Sequence, residues 1–414
     1  MLVMMQPIRA KAAAKSSSSG TDADDARSGE AGGGGPAVEL PFHLTEKILY
    51  SISPLASARL ATVCKSWAAA VSERLARPVP HLFVYLPPDN KSDHRGVVVS
   101  VPMDSGGPPA QVIPNRVLLA DTNGLRCVGA TPSGCLAFAN WCWWDTGVLL
   151  VNPITGARRK LDGERLCRDP VIASGGDADS FISIGTDHLV LWWRAGGGEE
   201  WSKWTVAAPA AAHRTDGIMS VVNCNGRFYI LDRDGQVSLI DATAPPPLLI
   251  EKLPVVSLCD LFPTLATAMA TGHLLESDGE VLFVRRVLAS VEHRGVPFCN
   301  HDIITDENLS IVGFEVYRLD VDGRRWTEVK KLSSDRALFV SPVSSFSVRS
   351  SETEGCRSNC IYFVDKKRYC SSCLRDDGNT WGVYSMEARE VLFKHAVTRP
   401  GPCSSATWFL PRVV

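Results

Sequence analysis

The sequence predicts a mainly β protein: a degenerate β-propeller of six or seven blades, preceded by a small unit of three short helices and a disordered N-terminal tail. Three observations predict it. From about residue 80 to the end, short runs of Val, Ile, Leu, Phe, Tyr and Trp alternate with turn dipeptides. Between Leu40 and Arg77, apolar residues recur at helical spacing instead. Before that, no large apolar residue except Val38 follows Ile8.

The tail, residues 1–38, is set by composition. Ser16 to Gly20 and Gly32 to Gly35 flank a polar stretch that cannot bury enough surface to offset its ordering entropy. Arg9, Lys11 and Lys15 precede the first acid, Asp22, a pattern that fits an organellar transit peptide as well as a flexible tail. The apolar start, Met1 to Met5, is too short for the core of a signal peptide.

Residues 39–78 form the helical unit. Leu44, Ile48, Leu49 and Ile52 make one apolar stripe before Pro54 interrupts it. Leu55, Leu60 and Val63 continue on a second short segment. A third, Lys65 to about Arg77, sets Trp67, Val71 and Leu75 four residues apart. Pro78 and Pro80 end it by removing amide donors. So small a unit gains stability by docking on something else.

Residues 79–414 form the β region. Gly147 to Asn152 precedes Thr155-Gly156, and Phe228 to Asp232 lies between Asn225-Gly226 and Asp234-Gly235. Val281 to Arg285 follows Asp278-Gly279, and Phe314 to Asp320 precedes Asp322-Gly323. Asn-Gly and Asp-Gly supply the positive backbone angles of tight hairpins. No long amphipathic helix separates the strands, which argues against a βαβ parallel sheet. The units recur at roughly 35 to 55 residues, the period of propeller blades, and a ring of blades protects sheet edges. A pair of β-sandwiches is the other architecture this pattern permits.

Charge and cysteine content exclude several functions. Forty-three basic against forty-five acidic residues leave a formal charge of −2, with no basic footprint for nucleic acid. Thirteen cysteines in irregular spacing read as reduced intracellular thiols, and no apolar run is long enough to span a membrane. Localisation in the nucleus or cytoplasm follows, with mitochondrion or chloroplast as the alternative from the tail.

Catalytic patterns are missing from the sequence: there is no Gly-x-Ser-x-Gly, no His-Glu-x-x-His, no Gly-x-x-x-x-Gly-Lys and no strand-bound Gly-x-Gly-x-x-Gly. The expectation is a protein without enzymatic activity and without a cofactor. Cys356, Cys360, Cys370 and Cys373 are the best metal candidates, since Cys370 and Cys373 have the two-residue gap of tetrahedral thiolate ligation. Against zinc, Cys356 and Cys360 have three intervening residues and Cys360 opens the run Ile361 to Val364. The expectation is therefore no metal. Trp143-Trp144 and Trp192-Trp193 are adjacent pairs that cannot both point inward from one strand, so one of each is a candidate contact for a target.

The segment Leu40-Pro41-Phe42-His43-Leu44, Ile48-Leu49, Ile52, Leu60 and Val63-Cys64-Lys65-Ser66-Trp67 resembles an F-box, with its Leu-Pro opening and Val-Cys-Lys-x-Trp closure. The rest resembles the plant F-box proteins with a KIB-type β-propeller, in Gly134-Cys135-Leu136, Leu150 to Gly156, Asn225 to Tyr229, Phe314 to Asp320 running into Arg325-Trp326, and Asn359 to Asp365. That resemblance implies a substrate receptor of a Skp–cullin–F-box ubiquitin ligase. Leu40, Pro41, Leu44, Ile48, Leu49, Leu60, Val63 and Trp67 match the family's apolar positions for the Skp-type adaptor, some of which also form the module's own core. A cullin follows through the adaptor, and the propeller faces an unknown protein target. Phe42-His43 stands where the family commonly has an acid, and Ser57-Ala58 where it has a bulky apolar pair. The alternatives are a propeller scaffold, organellar or not, with a degenerate F-box, and a propeller enzyme such as a glycan hydrolase.

Overall fold

Local turn chemistry cuts the β region into meanders. The computed structural model describes residues 40–52, 57, 60, 61, 63–76, 79–86, 95–103, 111–113, 125–140, 147–161, 171–174, 180–184, 189–194, 202–205, 218–243, 250–262, 272–290, 309–353, 355–365, 379–397 and 405–411. The tail expected over residues 1–38 lies outside them.

Two helices come first. α1 (Phe42–Ser51) and α2 (Lys65–Ala76) match the first and third expected segments. The amide of Ala68 donates to the carbonyl of Cys64 at 2.9 Å, which places Cys64 at the entry of α2. Of the second segment only Ser57, Leu60, Ala61 and Val63 are described; Ser57 and Leu60 are helical.

The strands follow in order. β1 (His81–Leu86), β2 (Arg95–Ser100) and β3 (Gln111–Ile113) form an antiparallel meander, as do β4 (Leu125–Ala130), β5 (Leu136–Asn140), β6 (Val148–Val151) and β7 (Arg158–Leu161). The next two meanders are β8 (Val171–Ser174), β9 (Ser180–Ile184), β10 (Leu189–Arg194), β11 (Ser202–Thr205) and β12 (Ile218–Cys224), β13 (Arg227–Asp232), β14 (Val237–Asp241), β15 (Ile250–Lys252). A single helical turn, α3 (Leu258–Leu261), leads to β16 (Gly272–Ser277), β17 (Glu280–Ser290), β18 (Leu309–Asp320) and β19 (Arg325–Glu328). The last sheet, in the order β21-β20-β22-β23-β24, holds β20 (Arg336–Val340), β21 (Ser345–Arg349), β22 (Cys360–Asp365), β23 (Thr380–Ser385) and β24 (Glu390–Ala396). Finally β25 (Ser405–Phe409) returns to pair with β1, Leu82 opposite Trp408.

The described residues form five sheets, which corrects the six or seven blades expected. The reason is a parallel contact that no sequence period reveals. β8 and β12 pair directly, Val221 opposite Ala173 and Val222 opposite Ser174, so two four-stranded meanders merge into one eight-stranded sheet. A second parallel pair, β20 with β22, widens the last sheet to five strands. In both cases the described residues between the paired strands include other strands of the same sheet, β9 to β11 in the first and β21 in the second.

Hydrophobic clusters bridge neighbouring sheets around a ring. Phe83, Phe138 and Phe409 join the β1 and β4–β7 sheets; Leu231, Leu274 and Phe283 join β13 to β16 and β17; Val316, Leu338 and Phe363 join β18 to β20 and β22. The ring closes where Trp381 of β23 meets Trp408 of β25 edge to face, both with 0% exposure. Phe339 stacks on Tyr362 at 4.6 Å in the same cluster. Sheets packed face to face around a ring in this way are the propeller arrangement. Hydroxyl groups stitch adjacent sheets: the amide of Leu274 donates to Ser220 Oγ at 3.1 Å, Ser277 meets Ser347 at 2.9 Å, and Ser341 meets Thr407 at 3.0 Å.

Turns explain the strand lengths. Asn225-Gly226 and Asp278-Gly279 both have two positive φ angles, 54° and 80°, then 53° and 76°, as tight hairpins require. Asp322-Gly323 differs. Its positive φ falls on Arg324 (52°), and Gly323 serves to let its amide approach Asp320 Oδ1, to which it donates at 2.8 Å.

Candidate adaptor-docking and target-docking surfaces

Helical spacing divides the apolar residues of α1 between two faces. Leu49 is 2% exposed and packs with Ala70 and Val71 of α2, while Ile52, Leu60, Ala61 and Trp67 are half-buried around them. Leu44 and Ile48, one turn apart, are instead 40% and 39% exposed. Val63, before α2, is 63% exposed, and Leu40 and Pro41, before α1, are exposed as well. The eight residues matched to the F-box thus separate: Leu49, Leu60 and Trp67 hold the helices together, and Leu40, Pro41, Leu44, Ile48 and Val63 present apolar surface to solvent. Ser57, at one of the divergent positions, is fully buried, and Ala58 lies outside the described residues. His43 is exposed.

The tryptophan candidates are only partly placed. Trp143 and Trp144 lie outside the described residues, between β5 and β6. Trp192 and Trp193 are successive residues of β10, with Trp192 opposite Ile182 and Trp193 opposite Phe181 on β9. The described side chains Trp326, Trp381 and Trp408 are core residues, as their size suits them to be.

Of the cysteine group, Cys370 and Cys373 lie outside the described residues. Cys360 is buried on β22, and Cys356 packs half-buried against the same cluster. Burial pushes the Cys356 thiol up to about 12 and raises Cys360 as well, which opposes the thiolate form that a metal needs. Among the described residues no group of three or more His, Cys, Asp and Glu could hold a metal ion.

Carboxylates that could have suggested catalysis are tied into structural bonds. Asp365, at the end of β22, accepts from the Ile311 amide at 3.2 Å and pairs with Lys394 Nζ at 3.5 Å. Lys394 also donates to the Ile311 carbonyl at 2.6 Å and Ser310 Oγ at 2.9 Å, so β18, β22 and β24 are joined. Asp335 accepts from Ser350 Oγ, Ser351 N and Ser351 Oγ, and these bonds, the Ser351 hydroxyl first, lower its pKa to about 2. Asp278 is held by Ser333 and Arg336. Each of these three carboxylates is held within the fold by hydrogen bonds, and Asp365 and Asp278 by an ion pair as well.

A further surface, around α3, went unmarked in the sequence because four residues of helix leave no periodic signal. Phe262, just after α3, packs edge to face on Tyr317 at 5.1 Å, and the Arg285 guanidinium lies 4.3 Å above the Phe262 ring. Glu315 binds Arg285 at 2.8 Å and accepts from the Tyr317 hydroxyl at 2.9 Å.

With this geometry in place, comparison with known proteins is informative. The sequence model of the KIB1-4 beta-propeller matches residues 107–385, about two thirds of the chain. Among curated proteins, F-box protein At2g26160 of Arabidopsis thaliana is 49% identical over 57 residues, covering 14% of this chain and 17% of that protein. Putative F-box protein At5g60060 is 29% identical over 189 residues, 43% of this chain and 41% of its own length. Putative F-box protein At5g55150 is 27% identical over 251 residues, covering 54% and 62%. The chain therefore spans less than two thirds of each of these relatives. Among solved structures, TolB from Acinetobacter baumannii aligns over 80% of this chain and 66% of its own at a TM-score of 0.43 and 11% identity, a likeness too slight to carry an argument.

Proposed function

Because this chain belongs to the KIB1-4 beta-propeller family, we propose that it acts as the substrate-recognition subunit of a Skp–cullin–F-box ubiquitin ligase, in the nucleus or cytoplasm. In this reading residues 39–78 are the F-box and residues 79–414 the target-binding propeller. Its relatives' names as F-box proteins support the first part. The observation that carries the proposal is the pair Leu44 and Ile48, one turn apart and exposed on α1 while Leu49 beside them is buried. An apolar helical face in water is an incomplete structure, and a groove on the Skp-type adaptor completes it. Val63 is a further exposed apolar residue of the same helical unit. Fully burying a Leu or Ile side chain contributes about 1.5–3 kcal/mol, and covering the exposed two fifths of Leu44 and Ile48 contributes a corresponding share of that from each.

The chain would itself catalyse nothing. It would hold a target near a ubiquitin-loaded partner bound to the cullin, raising effective concentration. Co-purification with a plant Skp adaptor tests this. Wild type is expected to bind, and a Leu44→Asp, Ile48→Asp variant to bind at least about 100-fold more weakly. The exposure of both residues means that the variant keeps its β-rich circular dichroism. Absence of binding by the wild type would overturn the proposal in favour of a propeller scaffold.

A further inference from the structure

The outermost strand of one meander, β15, connects to the innermost strand of the next, β16, through α3. α3 sits on the β13–β14 turn: the Leu258 amide donates to the Gly235 carbonyl at 2.9 Å, and Ser257 Oγ donates to the Asp234 carbonyl at 2.6 Å. Two features coincide there. The first is exposed apolar surface, with Leu261 38% and Val256 51% exposed although Leu258 and Val255 between and beside them are buried. The second is a rigid base. Arg285 is clamped between Phe262 and Glu315, and all the bonds to Glu315 from Arg285 and Tyr317 fall on one oxygen, Oε2. Tyr, Arg and aromatic rings held in advance of binding are the residue types that dominate interface energy, because little side-chain freedom is lost when a partner arrives.

The local charge identifies the partner's chemistry. Asp232, Asp234 and Asp260 lie close enough to Cys259 to help raise its thiol pKa, after burial, which is the largest cause. Arg285 is paired with Glu315, and residues 232–262 carry five acids against two bases, Arg233 and Lys252, so the charge around the apolar surface is negative on balance. We propose that this α3 surface is the docking site for a target segment carrying a bulky apolar side chain flanked by Lys or Arg. The apolar side chain covers Leu261 and Val256, and the basic residues meet the aspartates and the remaining oxygen of Glu315. Complementary charge sets which segment docks and how fast, while the apolar contact holds it. The inference rests on reading the propeller as the target-binding part of the protein.

The test is an array of short peptides in which one Leu, Phe or Trp is flanked by Lys/Arg, by Asp/Glu or by Ser, probed with the full chain. The strongest peptide is then measured by fluorescence anisotropy. Basic-flanked peptides are expected to bind at least about tenfold more tightly than their acid-flanked counterparts. Leu261→Asp should not weaken the fold, since the residue is exposed, and it should reduce that affinity at least about tenfold. The milder Leu261→Ser guards against misfolding and should act in the same direction. Equal binding of basic and acidic peptides, unchanged affinity in both variants, or no binding up to about 1 mM overturns the proposal. Leu261→Asp should still capture the Skp adaptor, and Leu44→Asp with Ile48→Asp should still bind the peptide, so failure of one surface is distinguishable from failure of the other.

Discussion

His273 stands on β16 opposite Val284, with its Nε2 closed off from water. Burial, and after it the charge of Arg286, lowers its pKa from 6.5 to about 3. The folded ring therefore stays neutral at pH values where the unfolded chain takes up a proton. Its stabilising contribution is complete above about pH 6.5 and is lost as the pH falls from there towards 3. By pH 5 the loss amounts to up to about 2 kcal/mol. Urea denaturation at pH 7 and pH 5 checks this: wild type should lose stability between the two, and His273→Leu should lose about that much less. Nothing in the sequence around Gly272-His273-Leu274 distinguishes this histidine from the other eight, because a pKa depends on what is packed against the ring from other strands. The F-box residues are the opposite case. Leu44, Leu49 and Trp67 were legible because helical periodicity is local, although periodicity alone did not separate the buried Leu49 from the exposed Leu44 and Ile48.

At the scale of elements, alternation and turn residues located β6, β13, β17, β18 and β22, since both are written within a few residues of the strand. What they could not supply is the bond between elements. Asp365 reads as an acid ending a strand, yet it is 4% exposed and joins β22 to β18 and, through Lys394, to β24. Removing its carboxylate leaves the Ile311 amide and the Lys394 ammonium without that acceptor. Asp365→Ala should therefore cost about 3 kcal/mol in unfolding experiments, and adding Lys394→Met should restore part of the loss. Strictly additive costs in the double-mutant cycle would rule out the coupling. Turn chemistry makes a second prediction. Gly226 has φ of 80°, and a Cβ there would lie 2.8 Å from Thr243 Cγ2. Gly226→Val should lower stability by about 2 kcal/mol, measured as a shift in the thermal midpoint.

Across the whole molecule, the propeller class was legible from repetition, whereas the number of sheets was not. The count turns on the parallel contact of Ala173 and Ser174 with Val221 and Val222, residues far apart in the chain and ordinary in type. Closure was equally invisible: β25 pairs with β1, and Trp408 and Phe409 fill two separate clusters on either side of that junction. Deleting residues 405–414 should open the ring at its most buried seam. The truncated chain is expected to aggregate on size-exclusion chromatography and to lose its cooperative thermal transition; a monomer with an unchanged transition would refute the role of β25. The same seam bears on how the protein is made. β1 leaves the ribosome about 320 residues before β25 is synthesised, which at typical elongation rates is on the order of half a minute. For that time Leu82, Phe83 and Val84, already paired with β2 on one side, form an open sheet edge on the other, the kind of edge through which growing chains pair wrongly.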